Sequence, residues 1–129
     1  TAFLPMGPGH WLAIAEEVGT NPATAGEAFE RSLIGYFAGS ASVCDQTGSR
    51  VRFAVAGARA RELLSRGVSI DLHPTRFAVG QVAVTTVGHI GVLLRQVDAA
   101  PTYQLLVARS YAGSLRHWLQ STAGGLGAA

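Results

Sequence analysis

Ten side chains in this sequence of 129 residues carry a permanent positive charge, and every one is an arginine. Without lysine there is no Schiff-base nucleophile, no P-loop lysine and no ammonium group whose pKa burial could tune. The four histidines are His10, His73, His89 and His117, and none stands three or four residues from another. A zinc site needs three or four convergent ligands, and Cys44 is the single cysteine available to help. Asp45 is its neighbour, but adjacent strand residues face opposite sides of a sheet. Cys44 therefore reads as a small buried hydrophobe rather than a nucleophile. No Gly-x-Ser-x-Gly elbow occurs. Glu16 and Glu17 are adjacent and diverge on any regular element, while Glu27, Glu30 and Arg31 fit a solvated helix face. Gly7-Pro8-Gly9 begins like a dinucleotide fingerprint, but Leu12 stands where the third glycine belongs. Gly35 and Gly39 belong to a helix end.

Two features stand out from this background. Arg50 and Arg52 project from one face of an expected strand, and Arg59, Arg61 and Arg66 follow on the next helix. Such a cluster suits phosphate or a nucleic acid, but the net charge is small and no aromatic rings interleave for base stacking. Arginine forks also recognise carboxylates across protein interfaces, and that reading is preferred. Asp71-Leu72-His73-Pro74 ends an apolar segment where binding residues often lie, although Asp and Pro equally serve a structural turn.

These side chains need elements to hold them. Ala2 to Met6 and Trp11 to Ala15 flank a Gly7-Pro8-Gly9-His10 turn and suggest a strand pair. Thr24 and Glu27 have capping-box spacing, opening a helix with Phe29, Leu33, Tyr36 and Phe37 on one face and Gly39 as its stop. Arg50 to Ala56 alternates as a half-buried strand with Val51, Phe53 and Val55 inward. Ala58 to Arg66 predicts a short helix burying Ala60, Leu63 and Leu64, and Val68, Ile70 and Leu72 alternate as a further strand. Gln81 to Val87, Ile90 to Gln96 and Tyr103 to Ala108 predict three antiparallel strands, with turns at Gly88-His89 and at residues 98–101. Ser110 caps a last helix with a Tyr111, Leu115, Trp118 and Leu119 stripe. The expected fold is a single α+β domain, a mostly antiparallel sheet with helices packed on one face. It covers residues 1–120, and residues 121–129 form a flexible tail.

Composition bounds the partners. Hydrophobic residues make up 48% and charged ones only 14%, with a net charge of +2, against about 25% charged in an ordinary domain. Disorder runs the other way, so an apolar excess on a small domain suits a surface covered by other chains. A single cysteine can form no internal disulfide, so nothing argues for an oxidising compartment. No apolar run approaches the roughly 20 residues that span a bilayer, and no signal-peptide pattern occurs. The reading is a soluble cytoplasmic protein with neither membrane nor nucleic acid as partner.

The stretch from Val43-Cys44-Asp45-Gln46-Thr47 to Phe77-Ala78-Val79-Gly80 resembles the gamma subunit of bacterial heterotetrameric sarcosine oxidase. Gly57-Ala58-Arg59-Ala60-Arg61-Glu62-Leu63-Leu64 is similar to that family's G-x-x-A-R-x-L-L pattern, and Asp71-Leu72-His73-Pro74 to its D-L-H-P. Met6-Gly7-Pro8-Gly9-His10-Trp11-Leu12 resembles its Gly-Pro turn. Leu105-Leu106-Val107-Ala108-Arg109-Ser110-Tyr111 resembles its approach to the last helix. The matches run through almost the whole chain in order.

The resemblance implies an α+β domain like the folate-binding domain of aminomethyltransferases. It implies a non-catalytic assembly role in a flavoenzyme complex that oxidatively demethylates sarcosine and passes one-carbon units to tetrahydrofolate. Its partners would be the alpha, beta and delta subunits. FAD, FMN, NAD, tetrahydrofolate and zinc would belong to those partners, and this chain would hold no cofactor, metal or catalytic residue. The family carries more residues before the Gly-Pro turn, which leaves open whether further strands precede Ala2. The K-G-C-Y signature of the aminomethyltransferase-like relatives is absent, and a fold does not carry a function by itself. Trp11, Arg59, Arg61, His73, Arg109 and Tyr111 are the candidate interface contacts. Two alternatives stay open: the equivalent subunit of a related N-methyl amino acid dehydrogenase, and a stand-alone folate-binding module using Arg109, Arg59 and Trp11.

Overall fold

The computed structural model describes residues 2–14, 22–37, 39–43 and 48–126, with side chains of the first helix described from Ala28 onward. Its residues group into two compact units, 1–48 and 49–129. Cys44 and Asp45, and Glu16 and Glu17, lie outside the described residues.

The first unit contains a hairpin and a helix. Strands β1 (Ala2–Gly7) and β2 (His10–Ile14) pair antiparallel across the glycine-proline turn, where Gly9 takes a φ of 69°. Helix α1 spans Pro22–Phe37. It opens at proline, whose missing N–H costs nothing in the first turn, so Thr24 lies inside the helix and does not begin it. Gly39, at φ 88°, ends it in the left-handed conformation while the Ser40 N–H bonds the Phe37 carbonyl. Phe29, Leu33 and Phe37 form the partly buried stripe, but Tyr36 is 79% exposed. The Phe37 ring meets both Phe3 and Tyr36 edge-on, with centroids 6.2 and 5.1 Å away, the favoured geometry for aromatic quadrupoles.

The second unit is an antiparallel sheet under helices. Strands β3 (Arg50–Ala56), β4 (Val82–Val87), β5 (Ile90–Asp98) and β6 (Thr102–Ala108) lie in the order β3-β6-β5-β4. One face presents Val51, Phe53 and Val55 beside Tyr103, Leu105 and Val107, then Val92 and Leu94. Helices α2 (Ala60–Ser65) and α3 (Ala112–Gly125) cover it, burying Ala60, Leu64 and Leu115 in the same core. On the opposite face Leu93 and Leu106 pair across β5 and β6 and are buried as well. The expected α+β class with an antiparallel sheet is what the chain adopts.

The β4–β5 hairpin turns on Gly88 and His89, both at positive φ (58° and 67°), as the two-residue turn that matches strand twist requires. Trp118 lies against this turn and against Gly67. A Cβ on Gly67 would come within 2.3 Å of the indole, and one on Gly88 within 2.6 Å. The Gly88 N–H bonds the Gly67 carbonyl, so both glycines form one seat for the ring.

Three further expectations need correction. Residues 68–72 form no strand: Val68 makes a single bridge to Val87, the Ser69 N–H bonds Thr86, and the chain then leaves β4. Ser110 caps nothing; Arg109–Tyr111 form a 3-10 turn and Tyr111 precedes α3 without a side-chain cap. Tyr111 is 57% exposed, outside the stripe of Leu115, Trp118 and Leu119. Helix α3 runs to Gly125.

Tyr103 is wholly buried, yet its hydroxyl has no hydrogen-bond partner among the described residues. A buried unpaired hydroxyl carries an uncompensated desolvation cost. Tyr103→Phe is therefore expected to be neutral or to stabilise by up to about 1 kcal/mol, read from urea unfolding; a loss above that figure would reveal a partner.

Candidate functional site

Arg59 stands immediately before α2 and commits its whole fork within the chain. Nε and Nη2 donate to the two Glu62 oxygens at 3.0 and 3.1 Å, and Nη1 donates to the Leu126 carbonyl at 3.1 Å. The guanidinium thus closes the end of α3, where orphan carbonyls favour a cation. It also holds the Glu62 carboxyl below the usual carboxylate range, chiefly through these hydrogen bonds. That contribution is in place at neutral pH and is lost as acid titrates the carboxylate through its lowered folded pKa.

Arg61 is also engaged. Its Nε donates to the Leu72 carbonyl at 3.1 Å in a partly buried setting, tying the 68–76 segment to α2. Arg61→Ala is expected to cost about 1 kcal/mol by leaving that carbonyl without its charged donor. Chemical denaturation checks this, with Arg66→Ala, at the exposed end of the same helix, as the neutral comparison.

His73 is the hub of a turn. Asp71 Oδ1 accepts its N–H at 2.9 Å, its Nδ1 meets the Thr75 hydroxyl at 2.8 Å, and its carbonyl accepts from Arg76 and Phe77. Buried Phe77 and Leu72 then plug the core on either side. The Asp-Leu-His-Pro motif therefore has a local structural use, with the imidazole exposed.

Arg109 and Tyr111 lie at the opposite end of α3 from Arg59. The helix has 14 residues, so about 21 Å of rise separates them. The Arg109 N–H bonds the Ser49 carbonyl at 2.9 Å, which brings the 3-10 turn to the start of β3. Trp11, in the first unit, is 62% exposed opposite Pro5. The five candidates of the second unit therefore do not converge on one pocket. Arg59 and Arg61 gather at α2, while Arg109 and Tyr111 gather at the beginning of α3.

Sequence reasoning passed over Arg116. Its guanidinium lies over the Phe53 ring at 5.9 Å from the centroid, within cation–π range, and so stands beside β3. Among the described residues, no group of three His, Cys, Asp or Glu could hold a metal ion, and no helix is long and apolar enough to cross a membrane.

Arginine and aromatic side chains are thus exposed on an antiparallel α+β fold. Residues 2–125 match the sarcosine oxidase, gamma subunit family (SoxG), and the chain belongs to that family. No curated protein matches the sequence. Among solved structures it is similar to a chain of the heterotetrameric sarcosine oxidase from Corynebacterium sp. U-96 in complex with pyrrole 2-carboxylate. The TM-score is 0.73 at 26% identity, covering 79% of this chain and 52% of that one. The chain thus spans about half the length of the solved relative.

Proposed function

We propose that this chain is the gamma-type subunit of a cytoplasmic, heterotetrameric sarcosine oxidase-type flavoenzyme, and that it serves assembly rather than catalysis. Family membership over residues 2–125 carries the reading. Likeness to a chain of a heterotetrameric sarcosine oxidase supports it. So does a set of engaged side chains in which arginines cap carbonyls and His73 holds a turn. Alpha, beta and delta subunits are the proposed partners, and flavin, NAD, tetrahydrofolate and zinc chemistry is assigned to them. Trp11, Arg109 and Tyr111 keep their place as proposed contacts. Arg59 and Arg61 support the surface by fixing α2 and α3.

The test is sarcosine turnover. The four subunits are co-expressed with and without this chain, and sarcosine-dependent oxygen uptake is followed. Omission is expected to abolish or sharply lower the yield of active complex. Full activity from an assembly lacking the chain would refute the proposal.

A further inference from the structure

Two side chains flank the Leu72 carbonyl, each anchored through one atom with its remaining donors unused. Arg61 makes a single hydrogen bond, from Nε to that carbonyl. Its terminal nitrogens, Nη1 and Nη2, have no partner among the described residues and are reached by solvent. They form the end of the guanidinium fork, an edge that takes both oxygens of a carboxylate at once.

His73 follows Leu72 directly. The Thr75 N–H donates to its Nδ1 at 3.2 Å, and a backbone N–H can only donate. Nδ1 therefore offers its lone pair, shared with the Thr75 hydroxyl at 2.8 Å, and the ring proton lies on Nε2. The Asp71 carboxylate holds the His73 N–H, and the His73 carbonyl accepts from Arg76 and Phe77, so ring and backbone are both fixed. Buried Leu72 and Phe77 pin the turn to the core. The Nε2–H has no partner among the described residues, and residues 73–76 are exposed without interruption. Carboxylates of this chain do not compete for it: Glu62 is taken by Arg59, and Asp71 is the single acid between positions 63 and 97.

We propose that Arg61 and His73 form a receptor for one carboxylate, the Asp or Glu side chain of a partner subunit, an inference that rests on the reading of this chain as a complex subunit. The fork takes the two oxygens, and the Nε2–H adds a third donor. Both side chains are anchored before the partner arrives, so little rotamer freedom is lost on binding. A small carboxylate ligand needs a concave site that buries most of its surface, whereas residues 73–76 stand exposed in a row. A doubly charged phosphate would meet Asp71, and like charges brought together are costly. A singly charged side chain on another protein is the better fit.

The experiment uses the co-expressed complex with this chain tagged, comparing wild type with Arg61→Gln/His73→Asn. Glutamine carries an amide N–H where arginine has Nε, and asparagine an oxygen where histidine has Nδ1. Both anchoring bonds can therefore persist while the fork and the Nε2–H are removed. The expected result is an unchanged fold with association at least about tenfold weaker. Arg66→Gln/His89→Asn removes the same groups from two other exposed positions and is expected to associate like wild type. Equal association of wild type and the Arg61/His73 variant would overturn the receptor while leaving the proposed function intact. Failure of the wild type itself to associate would instead overturn the function. If the variant unfolds, nitrogen-15 NMR of the labelled wild-type chain, free and in the complex, decides. The expected signature is a protonated Nε2 whose resonance moves on assembly; a protonated Nδ1 or an unmoved resonance would overturn the proposal. Saturable binding of micromolar acetate to the chain alone would also overturn it, reassigning the site to a small carboxylate.

Discussion

Gly88→Val is expected to destabilise the second unit by about 3 kcal/mol, the sum of two independent costs. Gly88 has a φ of 58°, where a side chain costs about 1–2 kcal/mol and a β-branched one fits worst. Its new Cβ would also stand 2.6 Å from the Trp118 indole. The ring has little freedom to retreat, because Gly67 seats its other edge at 2.3 Å from where a Cβ would be. Overpacking of this kind costs about 1–3 kcal/mol. Gly113→Ala is the internal comparison. That residue is helical, with nothing within 4 Å of its Cβ position, so the change is expected to stabilise by about 0.5 kcal/mol. Urea denaturation of the two variants should move the midpoint in opposite directions. A loss for Gly88→Val of no more than about 1–2 kcal/mol, the backbone cost alone, would mean that Trp118 does not occupy the glycine seat.

Leu64→Ala is expected to cost about 3 kcal/mol and to lower the melting temperature by roughly 15 °C for a unit of this size. Leu64 is fully buried and lies in one core with Ala60, Leu105 and Leu115. Helix α2 has six residues, too few to be stable by propensity alone, so burial of this side chain is what seats it. Its loss loosens α2, the anchor of Arg59's bond to the end of α3 and of Arg61's bond to Leu72. Calorimetry reads the effect directly. A cost below about 1 kcal/mol would show that α2 is held by something other than the leucine.

The sheet was legible because its signals agree. Residues 50–56 alternate between arginine or alanine and bulky apolar side chains, and the strand has those bounds. Gly88-His89 announces a hairpin because few residue pairs accept two left-handed conformations. Residues 68–72 misled because alternate apolar residues also arise when a loop drops Leu72 into a core, and the Asp71 turn ends any strand there. Ser110 misled because a 3-10 turn and backbone bonds can open a helix without a hydroxyl cap. At the candidate site, the arginines are visible in the sequence but their acceptors are not. Those of Arg59 and Arg61 include main-chain carbonyls 67 and 11 residues away, and a carbonyl has no signature in the sequence. The same holds for Arg116, whose partner is the face of an otherwise ordinary core-strand phenylalanine.

The central claim is that this chain is a stoichiometric subunit of a sarcosine oxidase-type assembly. Native mass spectrometry of the tagged, co-expressed complex tests it most directly. The account predicts one assembly with this chain and the alpha, beta and delta subunits in equal copies, stable through gel filtration. A free chain eluting apart from an intact assembly of the other three would contradict it.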